Sequence, residues 1–200
     1  MRATLARILL RGSVLDAYAS YASNWLAGAM PAFADLLLTN ASDERRHARM
    51  QAEMAETLGG PKGGDPYARA MWGGWSEPLE HQVIWRLTML NLVEWRAMIA
   101  FHVLGRRCRA LGLRDVGHAF HEIARDEQRH LRVGWDALRS RGGVPIELMD
   151  AVTARLAALD HEDRFLEVEA PAQLGIGPMS AVGIAVAARF KERSELCRMS

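Results

Sequence analysis

Cysteine is almost absent from this 200-residue chain. The two present, Cys108 and Cys197, stand far apart and no Cys-x-x-Cys occurs, which excludes a cysteine-held iron or zinc module. Two lone thiols fit a reducing compartment, so a cytoplasmic location is expected. Charge of one sign is also missing. Lys+Arg 25 against Asp+Glu 24 leaves a formal net charge of +1, and no global field draws the chain to nucleic acid or to an anionic membrane. No uninterrupted apolar run is as long as a membrane span. No segment alternates apolar and polar residues as a half-buried strand does. What is there is a chain 50% hydrophobic and 24% charged, the composition of a globular protein with a sizeable core. A single domain over 1–200 is the expectation.

Helical periodicity runs through most of it. Leu5, Ile8, Leu9, Val14, Leu15, Tyr18 and Trp25 make an apolar stripe that predicts a first helix over about 3–26, weakened by Gly12. Arg2, Arg7 and Arg11 without an acid resemble a transit peptide, but a core helix with solvated arginines accounts for them too and is preferred. Pro31 opens a second helix that stops at Gly59-Gly60. Residues 59–75 hold six glycines and two prolines, so they read as a long loop. Ser76 then reads as the cap of a third helix over 77–110. A fourth helix covers 115–141, ended by Gly142-Gly143, and Pro145 opens a fifth that extends to about 165. Residues 166–177 read as loop and Pro178 opens a last helix. The fold class is all-α, with two further helices after a four-helix core.

One motif occurs twice. Residues 41–50 (ASDERRHARM) and 124–133 (ARDEQRHLRV) agree at six of ten positions and share Asp-Glu-x-Arg-His. Glu44 and His47 lie three apart, as do Glu127 and His130. On a helix that spacing turns about 300°, which puts both side chains on one face. Carboxylate and imidazole are ligands for iron, manganese and zinc. Two Glu-x-x-His helices with one more acid from each neighbouring helix make a two-metal site. The missing acids can be located by distance from the turns. From Glu44 the turn at Met30-Pro31 is about as far back as Asp16 lies beyond it, and Asp16 is the only acid in the first 34 residues. Glu94 stands likewise to Glu127 across the turn at Leu111-Gly112. The expected metal ligands are therefore Asp16, Glu44 and His47 for one ion and Glu94, Glu127 and His130 for the other, with Glu44 and Glu127 as bridges. Four carboxylates balance two divalent ions and leave the histidines neutral.

With those residues in place, the chain from about 3 to 140 resembles the ferritin-like di-iron carboxylate superfamily. The resemblance implies a ferritin-like four-helix bundle and two iron ions, with manganese as the substitute. It also implies that the aspartates preceding the bridging glutamates hydrogen-bond the opposite histidines, Asp126 behind His47 and Asp43 behind His130. Residues one turn from the ligands would line a small-molecule pocket: Ser20, Leu37, Leu90 and Asn91 on one side, Ser13, Gln51, Met98, Phe101, Phe120 and Ile123 on the other. His102, His118 and His121 lie off the ligand face and read as structural or supporting. The arginines 106, 107, 109 and 114 read as a solvated helix end rather than an RNA footprint.

Rubrerythrin-like peroxidases usually carry a further glutamate one turn along the third helix, where this chain has Ala97 and Met98, and often a cysteine-rich electron-transfer module. Their absence points first to a small di-iron oxygenase or oxidase. Such an enzyme takes dioxygen as co-substrate and electrons from an external donor. It hydroxylates, desaturates or N-oxygenates a small organic molecule. A peroxide-scavenging or iron-handling protein and a tRNA-modifying hydroxylase are the alternatives. No nucleic acid or membrane partner is expected, and a homodimer is compatible with the sequence.

Overall fold

The computed structural model describes residues 1–62, 83–162, 165, 169–177 and 185–192. Among these there is no strand, and the all-α reading stands. The chain forms two compact units, Met1–Gln82 with Gln173–Gly175, and Val83–Ala172 with Ile176–Ser200.

The first unit is a helical hairpin. Helix α1 spans Arg2–Ala29. Met30 leaves helical geometry at φ −135° and ψ 73°. Pro31, which has no N–H to leave unpaired, begins the short 3-10 turn Pro31–Phe33. Helix α2 follows directly over Ala34–Thr57 and packs along α1. It ends where Gly59 takes φ +86° and the Gly60 N–H returns to the Ala55 carbonyl at 2.8 Å, a glycine-dependent helix stop. The hairpin is held by leucines on facing sides. Leu5, Leu9 and Leu26 of α1 and Leu37 of α2 are fully buried, each contributing about 1.5–3 kcal/mol of burial. The arginines of α1 do not behave alike. Arg2 and Arg7 are exposed as expected, whereas Arg11 is buried. It falls on the same helical face as Ile8 and Leu15's neighbours, so the reading of solvated arginines fails there.

The second unit is built on another hairpin. Helix α3 covers Val83–Ala110 and α4 covers Arg114–Ser140, and the two pack along their length. The turn between them closes at Gly112, with φ +79° and the Leu113 N–H on the Cys108 carbonyl at 2.9 Å. The expected cap at Ser76 lies outside the described residues. Helix α3 is long and apolar enough to cross a membrane by length and composition alone. It has Glu94 buried at its middle and packs on α4, as a core helix does. Helix α5, Ile146–Glu162, packs on α3. Residues 185–192 are helical and bring Phe190 against Trp135 and Trp95, ring centroids 4.4 and 6.3 Å apart. The segment read as loop over 166–177 contains a short helix, α6, over Ala170–Leu174. Five residues are too few to show periodicity, and Pro171 is tolerated in a first turn.

Candidate metal centre

Each hairpin gathers one triad. In the first, Asp16 of α1 meets Glu44 and His47 of α2, one ligand atom from each lying within 4.8 Å of the others. In the second, Glu94 of α3 meets Glu127 and His130 of α4 within the same limit. The reason is local. The three-residue spacing of each Glu-x-x-His stacks its side chains on the inner face, and equal distance from the turn puts the single acid of the neighbouring helix at that height. None of the six is more than 6% exposed.

The imidazoles are turned the same way. His130 Nδ1 is 3.2 Å from Glu127 Oε2 and 3.5 Å from Glu94 Oε2, and His47 Nδ1 is 3.8 Å from Glu44 Oε2. In both, Nδ1 is the nitrogen aimed at the carboxylates. A metal held there leaves the ring proton on Nε2. Two carboxylates and one neutral imidazole in each hairpin supply a charge of −2, which matches one divalent cation. Without a cation, two carboxylates at this depth would carry a large desolvation cost. The donor set fits iron, manganese or zinc.

The repeated motif brings a second pairing. Arg46 Nη2 lies 3.5 Å from Asp43 Oδ1, and Arg129 Nη1 lies 2.8 Å from Asp126 Oδ1. Asp126 is buried, Asp43 partly so. Among the residues expected to line a pocket, Ser20, Leu37 and Gln51 are buried in the first unit and Asn91, Phe101, Phe120 and Ile123 in the second; Ser13, Leu90 and Met98 are half-buried. Phe101 and Phe120 stack at 5.5 Å. Ser20 Oγ donates to the Ala41 carbonyl at 2.8 Å and accepts from Arg45 Nη1 at 3.2 Å, so its hydroxyl ties the hairpin together. Gln51 Nε2 donates to Asp16 Oδ2.

Sequence reasoning missed the glycines beside these groups. A Cβ on Gly12 would overlap the Gln51 amide, and one on Gly134 would overlap that of Asn91. Both glycines lie four residues from a triad member, Asp16 and His130, which is the signal that was available. Of the off-face histidines, His102 and His118 are exposed and His121 is half-buried. His121 lies beside His102, ring centroids 5.6 Å apart, and against Gly105. Burial first, then Arg109, His102, Arg106 and His118, lowers its pKa from the ordinary 6.5. Arg106, Arg109 and Arg114 are exposed, as a solvated helix end requires.

Compared with known proteins, residues 15–133 match the family model Rubrerythrin. No curated protein and no solved structure matches the chain.

Proposed function

The chain belongs to the rubrerythrin family, and on that premise we propose that it is a di-iron redox protein that consumes hydrogen peroxide or handles iron. The observation that carries the reading is the extent of the family match, which runs over 15–133 and so takes in all six donors from Asp16 to His130. It reverses the order reached from sequence, where the missing third acid on α3 placed an oxygenase first. In this reading Asp16, Glu44 and His47 would hold one ion, and Glu94, Glu127 and His130 another. A ferrous pair supplies two electrons, the number needed to reduce one hydrogen peroxide with two protons to two waters.

The residues have separable tasks. The four carboxylates would neutralise two divalent ions, and each histidine would offer Nδ1. Asp43 and Asp126 each pair with the arginine three residues along the same helix, Arg46 and Arg129, and so keep a carboxylate beside each motif. Phe101, Phe120, Ile123 and Leu37, all buried, keep bulk water away. Cys108 is free. It is buried and its thiol is pushed up to about 11 by that burial, and a thiol so protonated is a poor nucleophile.

The oxygenase reading stays as the rival, favoured by Ala97 and Met98 where a further glutamate would stand. Stopped-flow mixing of the diferrous protein with each oxidant separates the two. Fast oxidation by peroxide, with no organic product, is expected. Slow reaction with peroxide, and dioxygen consumption coupled to oxidation of an added organic molecule, would reverse the assignment.

A further inference from the structure

Gln51 stands on α2 four residues beyond His47, one turn along the same face. It is fully buried. Its Nε2 donates to Asp16 Oδ2. Among the described residues its Oε1 has no hydrogen-bond partner. On α1 the residue facing it is Gly12, and the space that a Cβ would fill there is taken by Gln51 Oε1, with the amide carbon 2.8 Å from the Cβ position. Gly12 lies in mid-helix with nothing unusual in its backbone. In that place glycine costs about 1 kcal/mol relative to alanine, so conformation does not account for it. Room for the amide does.

A buried amide with one half unsatisfied is unfavourable by itself, as is a glycine inside a helix. Both have one evident effect, on Asp16. Aspartate is one methylene shorter than the glutamate that serves the other triad. Its carboxylate can turn about its own axis and close on a metal with both oxygens. An N–H placed on Oδ2 engages that oxygen and sets the plane of the group.

We propose that Gln51, seated in the notch left by Gly12, is a positioning residue that fixes Asp16 through Oδ2 and presents Oδ1 as its single metal-binding oxygen. The ion on this side then receives one oxygen rather than two from Asp16, and keeps a coordination position for the oxidant. Gly12 acts only by making room. The inference rests on the metal-site reading above, with Asp16 as a ligand.

Cobalt(II) loading of the full chain tests it, because the visible absorption of cobalt reports coordination number and each ion's affinity can be measured by competition with a chelator. In Gln51→Ala the affinity on the Asp16 side should fall by about 10–100-fold, the usual effect of losing a group behind a ligand. The absorption per bound cobalt should also fall as Asp16 turns to bind through both oxygens. Gly12→Ala, which keeps Gln51 but pushes its amide aside, should give the same spectral change while the metal-free chain melts no lower than the wild type. Adding Gly12→Ala to Gln51→Ala should change nothing further. If Gln51→Ala binds two cobalt ions with the wild-type affinities and spectrum, the inference is wrong. If Gln51→Ala does not fold, Gly12→Ala decides alone, and an unaltered spectrum there overturns it. A wild-type chain that binds no cobalt refutes the metal centre itself, a result distinct from these.

Discussion

The hairpin of α1 and α2 completes its triad with an aspartate, and that of α3 and α4 with a glutamate. The Glu-x-x-His pairs are the same, yet the surroundings differ in step with that one methylene. Glu94 brings Oε2 to 3.5 Å from His130 Nδ1. Asp16 instead has the Gln51 amide on Oδ2. The glycine changes helix as well. In the first hairpin it is Gly12, on the helix of the single acid, and the amide belongs to the helix of the motif. In the second it is Gly134, on the helix of the motif, and the amide is Asn91 on the helix of the single acid. A repeated motif therefore does not impose a repeated environment. The ligand spacing is set along one helix, whereas the support is set by what the neighbouring helix presents at that height.

The largest test of this comparison removes the motif glutamates. Glu127→Ala or Glu44→Ala should abolish occupancy by a pair of metals, read by elemental analysis after dialysis. If either variant keeps two ions per chain, that glutamate is not a ligand. Next come the aspartates of the motif. Asp126→Asn should weaken metal binding by about 10–100-fold, and Asp43→Asn should do less, since Asp43 is the more exposed of the two. Equal and negligible losses in chelator competition would remove both from any role behind the histidines.

A stability effect distinguishes the hairpins further. At Gly12 the obstacle to a side chain is the far end of a flexible glutamine. At Gly117 it is partly backbone, for an added Cβ would sit 2.8 Å from the Gly105 carbonyl oxygen. Gly117→Ala should therefore push α3 and α4 apart and cost about 1–3 kcal/mol, seen as a lower midpoint in urea. Gly12→Ala should be close to neutral by the same measurement.

These contrasts also mark what the sequence made legible. The grouping of the two triads was readable because a helix converts spacing into direction, and because equal distances from a turn place side chains at one height. The helix ends at Gly59, Gly112 and Gly142 were readable because each needs positive φ. The Gly12–Gln51 and Asn91–Gly134 contacts were not, since they depend on the rotation of one helix against another. Arg11 was misread because a charge inside an apolar stripe has no one-dimensional mark of burial. The family match puts the peroxidase reading ahead of the oxygenase reading for a related reason. Ala97 and Met98 report one missing ligand, whereas the family match draws on residues 15–133 together.

The smallest expected effect is a dependence on pH. His121 has its pKa lowered in the folded chain, by burial first and then by Arg109, His102, Arg106 and His118. The unfolded chain then binds its proton at a higher pH than the folded one does. Stability contributed at this site is intact above about 6.5 and is lost as pH falls towards the depressed folded value. His121→Gln should flatten the fall in Tm between pH 7.5 and 5.5 by about 2 °C or less. A steeper fall in the variant would contradict the sign.

That the first triad lies wholly within α1 and α2 bears on when a metal could first be bound. Synthesis proceeds from the N-terminus, and this hairpin closes through a connection only a few residues long, a cheap loop to form. A growing chain thus presents Asp16, Glu44 and His47 before α3 and α4 have been translated. An ion bound at that stage would be chosen by three donors rather than six.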